Sequence, residues 1–93
     1  MSDFQGGTCD LTSKDMKLWK CHKLVRAEKI KEVLDFGNYI YRLDFEGGGF
    51  RHPSPDYMLK HRPVAGGYFV VYEGGYESFS PAKAFEEGYS RID

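Results

Sequence analysis

The residues between Tyr68 and Gly88 constrain the fold of this chain more than any other stretch. Tyr68-Phe69-Val70-Val71-Tyr72 is β-branched and aromatic throughout, which is the composition of a strand. Gly74-Gly75 follows, a pair that accepts positive φ at both positions and predicts a tight two-residue hairpin turn. Tyr76-Glu77-Ser78-Phe79 returns as the second strand. Ser80-Pro81-Ala82-Lys83-Ala84-Phe85-Glu86-Glu87-Gly88 then predicts a helix with Ser80 as N-cap, Pro81 in the first turn and Gly88 as terminator. Phe85 should pack on the sheet, and Tyr89, four residues on, can join it. A strand pair followed by a capped helix points to an α+β domain with a small, mainly antiparallel sheet.

Upstream, Asn38-Tyr39-Ile40-Tyr41-Arg42-Leu43-Asp44-Phe45 alternates with period two and predicts a strand, ended by Gly47-Gly48-Gly49. Residues 18–34 fit two patterns. As a helix, Ala27, Ile30 and Leu34 share a face; as strands, Leu24, Val25 and Ala27 begin a core-facing edge that Ile30 and Val33 continue after an irregularity. The strand reading is preferred, because the neighbouring strand needs a partner. Ser54-Pro55 predicts a second capped helix through Lys60, stopped by Pro63. Residues 1–13 read as a flexible arm and 14–93 as the single domain; Thr12 or Ser13 can cap one helical turn near the boundary.

The chain has 93 residues and a net charge of -1, so no general attraction to nucleic acid or anionic membrane follows. Residues 14–31 are locally basic: Lys14, Lys17, Lys20, Lys23, Arg26, Lys29 and Lys31 face only Asp15 and Glu28. Cys9 and Cys21 lack the spacing of a zinc knuckle, and two cysteines without a secretory leader predict free thiols in a reducing cytoplasm. No run approaches the length of a membrane span. No nucleophile elbow or phosphate-binding glycine pattern is present, and adjacent Glu86 and Glu87 point to different sides of a helix. The expectation is a protein without catalytic residues, metal or cofactor.

Aromatics are the excess, at 16% of the chain. By alternation Tyr68, Val70 and Tyr72 share one face of their strand, and Phe69 and Val71 the other. If the tyrosine face is wet, Tyr68, Tyr72 and Tyr76 with Arg62 have the composition of a protein-binding hot spot. The competing assignment places Tyr68 and Tyr72 in the core with their hydroxyls at its rim. The alternative function is nucleic-acid binding, with Lys20, Lys23, Arg26, Lys29 and Lys31 as phosphate contacts.

The stretch Gly67-Tyr68-Phe69-Val70-Val71-Tyr72 with Gly75-Tyr76-Glu77-Ser78-Phe79-Ser80-Pro81 and the helix carrying Phe85 and Tyr89 resembles the end of small uncharacterised accessory proteins of tailed bacteriophages and prophages. Lys23-Leu24-Val25-Arg26-Ala27 and Lys60-His61-Arg62-Pro63 are similar to the same group more faintly. The resemblance implies a phage or prophage accessory protein in a bacterial host, acting by contact with a host or phage protein. It carries no activity.

Overall fold

The computed structural model describes residues 11–20 and 24–91. A 3-10 turn at Ser13–Asp15 leads into β1 (Lys17–Lys20), β2 (Leu24–Asp35), β3 (Tyr41–Phe45) and β4 (Phe50–Arg51). Helix α1 (Pro55–His61), β5 (Tyr68–Tyr72), β6 (Glu77–Ser80), helix α2 (Ala82–Gly88) and β7 (Ser90–Arg91) complete the order. The fold is α+β, with an open antiparallel sheet and two short helices. The described part of residues 18–34, 18–20 and 24–34, is strand, as preferred over the helix.

β2 organises the sheet because it is long enough to take different partners on its two halves. Its residues 24–27 pair with β1, 25–29 with β5 and 30–35 with β3, all antiparallel. The register shifts between Ile30 and Glu32, later than the irregularity expected between Ala27 and Ile30. Adjacent residues of a strand present their backbone groups to opposite edges. The Lys29 carbonyl accepts from Glu46 N on the β3 side, whereas Ile30 exchanges bonds with Gly66 and Gly67 at the start of β5. β1 and β3 therefore follow one another along one edge, and β5 covers the other.

Both faces of β5 are buried. Phe69 and Val71 join Leu11, Met16, Ile30, Leu43, Phe45 and Tyr57 in one core cluster. Tyr68 and Val70 join Val25, Ala27 and Phe85 in the other, flanked by Trp19, Tyr72 and Tyr89. A strand that is apolar at successive positions suits burial on both sides. The expected wet tyrosine face is thus corrected at Tyr68, which is 5% exposed and stacks on Phe85 at 4.2 Å. The expected pairing of Phe85 with Tyr89 is present, with rings stacked at 4.6 Å.

Four local expectations change. The strand at Asn38 begins only at Tyr41, because Asn38 and Tyr39 take φ of 56° and 62° and form the turn of the β2–β3 hairpin, closed by Ile40 N donating to Gly37 O. The β5–β6 turn is longer than two residues: Glu73-Gly74-Gly75 is closed by Tyr72 N donating to Tyr76 O, Gly75 N donates to Tyr72 O, and both glycines have positive φ. The N-terminal arm is shorter than expected at its inner end. Leu11 is buried, its N–H donates to Phe50 O, and its carbonyl accepts from Arg51; residues 1–10 lie outside the described residues. Finally, Ser80 is not a cap. It is the last residue of β6, paired with Tyr68, and Pro81 takes the N-cap position of α2 without a side-chain bond.

Ser54, by contrast, accepts from Tyr57 N at 3.0 Å and caps α1 as expected, with Pro55 in the first turn. The two Ser-Pro pairs give a direct test. Ser54→Ala should lower stability by about 0.5–2 kcal/mol, and Ser80→Ala by less than about 0.5 kcal/mol. Equal shifts in urea midpoint for the two variants would contradict these assignments.

Candidate functional site

α1 and the β5–β6 turn meet at a cleft of about 340 Å³ lined by Ser54, Asp56, Tyr57, Lys60, His61, Gly75, Tyr76 and Glu77. The Ser54 cap fixes the start of α1, so Tyr57 and His61, four residues apart, fall on the same helix face. That face turns to β6: the Tyr57 hydroxyl donates to Ser78 O at 2.7 Å, and the His61 ring lies 4.7 Å from that of Tyr57. Across the cleft Tyr76 is 51% exposed, with its hydroxyl 3.4 Å from His61 Nε2. The Lys60 ammonium sits 5.2 Å above the Tyr76 ring, within cation–π range. Tyr72 stacks on Tyr76 at 6.1 Å from the sheet side.

The electrostatics follow from this packing. Burial, and then Glu77, push the Tyr57 phenol well above its ordinary range, so it stays a neutral donor. Burial, and then the Lys60 ammonium, hold the His61 imidazole below its usual value, which keeps it neutral at pH 7. Glu77 is paired with Arg51, whose guanidinium also stands 5.9 Å over the Phe69 ring. The cleft thus offers one open aromatic ring, a neutral imidazole, a lysine and, on its rim, Asp56, which has no ion pair among the described residues.

Of the four residues expected to form the partner surface, two are brought together here. Tyr76 is exposed and Tyr72 half-buried beside it. Tyr68 is in the core on the other side of the molecule's central sheet, where its hydroxyl donates to Glu86 at 2.8 Å. Arg62 is exposed at the C-cap of α1 in the left-handed region, φ 45°. His61 and Lys60 take the place expected for Arg62. Their adjacency to Arg62 in Lys60-His61-Arg62 was visible in the sequence; the helix phase that aims His61 at Tyr76 required the Ser54 cap.

Lys29 joins the Tyr68–Glu86 contact with an ion pair at 3.3 Å. Burial first, and then the Glu86 hydrogen bond, push the Tyr68 hydroxyl up to about 12, while that same bond and Lys29 hold Glu86 below the ordinary carboxylate range. Nearby, Glu28 is buried at 4% exposure in the gap between β1 and β3 along β2. It accepts from Lys17 N at 3.1 Å and from the Lys17 ammonium at 3.4 Å, supplying the bond that β1 loses where its pairing stops.

The basic stretch does not form one patch. Arg26 and Lys29 lie on opposite faces of β2 by alternation, and each has a partner: Met16 O for Arg26 and Glu86 for Lys29. Lys20 is exposed at the end of β1 and Lys31 at the bulge of β2; Lys23, with Cys9, Cys21 and His22, lies outside the described residues. Among the described residues no three His, Cys, Asp or Glu side chains gather as a metal site. Among the described residues no helix is long and apolar enough to cross a membrane. No protein-family model, curated protein or solved structure matches the chain.

Proposed function

We propose that the chain is a non-enzymatic binding module that contacts another protein through the cleft between α1 and the β5–β6 turn. The observation that carries the reading is Tyr76, a half-exposed ring held by Tyr72 from behind, Lys60 from above and His61 from the side. A rigid aromatic ring at the rim of a small cleft is the usual form of a binding hot spot. In this reading the β5–β6 hairpin presents Tyr76, and the resemblance of the C-terminal stretch to phage accessory proteins supports a host or phage protein as partner.

The test is capture from a bacterial lysate, with and without nuclease, comparing the wild-type chain with Tyr76→Ala. The expected result is a defined nuclease-resistant partner whose affinity falls by about 2 kcal/mol, roughly thirty-fold, in the variant. The thermal midpoint should stay within a degree or so of wild type, because an exposed ring contributes little to folding. Capture that vanishes with nuclease, or that Tyr76→Ala leaves intact, would remove the basis for this site.

A further inference from the structure

Leu18, Arg26 and Val71 stand side by side on one face of β1, β2 and β5, because the register sets Arg26 opposite both of the others. Leu24, two residues before Arg26, extends that face, and Glu73 lies two residues beyond Val71. With the Gly74–Gly75 turn these residues line a cleft of about 260 Å³. It shares only Gly75 with the Tyr76 cleft, so the two sites are separate. Leu24 is 48% exposed and Leu18 half-buried, which leaves an apolar wall open to a ligand. Arg26 is half-buried between them and Val71. Its Nη1 donates to Met16 O at 3.0 Å, which fixes the guanidinium. Among the described residues Arg26 has no second hydrogen bond and no ion pair, and its other nitrogens are not buried.

We propose that this cleft binds the C-terminal residue of a polypeptide, with its carboxylate on Arg26 and an apolar side chain against Leu18 and Leu24. A fixed guanidinium with open N–H groups suits a planar carboxylate, which it can hold through two parallel bonds. The apolar wall beside it calls for an apolar group close to that carboxylate. A chain terminus bears both on one α-carbon, whereas an internal Asp or Glu brings the carboxylate alone. The volume agrees, being smaller than the ~300–1,000 Å³ of pockets for drug-sized ligands and suited to one residue.

The turn supplies the main-chain contacts. Among the described residues Gly74 makes no hydrogen bond and Gly75 uses only its N–H, so both carbonyls are open to the amide N–H of the terminal residue. Glu73 opposes an anion in this cleft. It is exposed, so water and salt screen it, whereas Arg26 is half-buried and screened less.

Chemical-shift titration of the isotope-labelled full chain with N-acetyl-leucine at pH 7 tests this. The expected result is saturable binding with a Kd on the order of 1–10 mM, as the size of the probe allows, with shifts at the Arg26 Nε–H and the amides of Leu24, Gly74 and Gly75. N-acetyl-leucinamide, which lacks the carboxylate, should bind at least about ten-fold more weakly. Hexanoate keeps the carboxylate and an apolar chain without the amide, and N-acetylglutamic acid α-amide keeps a carboxylate on the side chain alone; each should be weaker by about three-fold or more. Arg26→Gln should abolish the shifts, and Glu73→Gln should tighten binding about two- to three-fold. If Arg26→Gln disturbs the fold, which its own spectrum reveals, the comparison of acid with amide on the wild-type chain still decides. Acid and amide binding alike, or no saturable shift at these residues, overturns the carboxylate site. Hexanoate or the glutamic acid amide binding as well as N-acetyl-leucine overturns the assignment to a chain terminus.

Discussion

Replacing Phe69 with alanine is expected to lower stability by about 3–5 kcal/mol, a large share of the 5–15 kcal/mol typical of a domain. Phe69 is fully buried at the centre of its core cluster. Its ring contacts those of Tyr57 at 5.4 Å and Phe45 at 6.0 Å, and the Arg51 guanidinium lies over it. It also pairs with Glu28 on one side and Phe79 on the other. Truncation leaves a cavity between β3, α1 and β5 that none of these neighbours can enter without losing its own contacts. Urea denaturation monitored through Trp19 reads the loss, because Trp19 packs on Phe85 and Tyr68 in the other cluster and reports global unfolding. A midpoint unchanged in Phe69→Ala would mean that this cluster is not the core.

Gly67→Val is expected to be the second most damaging change, by about 1–3 kcal/mol or more, through overpacking. A β-carbon at Gly67 would stand 2.4 Å from the Phe79 ring and 2.9 Å from the Ser80 carbonyl oxygen. The ring could swing, but Phe79 packs against the core, and the carbonyl belongs to β6. Gly67 O also receives the Ile30 N–H, so the residue cannot retreat without opening the start of β5. Gly67→Ala should lie between wild type and valine in a thermal melt. If both variants melt with wild type, the close approach of residue 67 to Phe79 is wrong. At Gly74 and Gly75, where a β-carbon meets nothing but φ is positive, alanine should instead cost through backbone strain alone.

Local chemistry was legible wherever a signal acts over a few residues. Ser54-Pro55 announced its helix, and Ile30–Val33 announced an irregular strand. The same dipeptide at Ser80-Pro81 misled, because the backbone of Ser80 is held in the ladder by Tyr68, twelve residues upstream, and so is not free to cap. The tyrosine face failed for a related reason. Alternation of hydroxyl-bearing and purely apolar residues in β5 suggests wet and dry faces, whereas α2 returns to cover Tyr68 through Phe85. The apolar run itself carried the correct signal, since a strand lined on both sides has no polar positions. Leu11 and Met16 sit in an otherwise polar stretch, and only the tertiary fold shows that they close the core. The Tyr76 cleft was half visible: the tyrosines could be named from the sequence, but not the imidazole and ammonium that frame them.

The central place of β2 has a consequence for how the chain acquires its structure during synthesis. β1 and β3 are close to β2 in sequence and can pair with it as soon as they emerge. β5, which covers its other edge, is separated from it by all of β3, β4 and α1. Until β5 is made, Val25, Ala27 and Ile30 have no cover on that side, and the edge is open along its whole length. The nascent chain therefore carries an adhesive intermediate through most of its translation, and closure of a long loop, rather than any local step, sets the pace of folding. Fragments that stop short of Tyr68 should accordingly aggregate instead of folding in part.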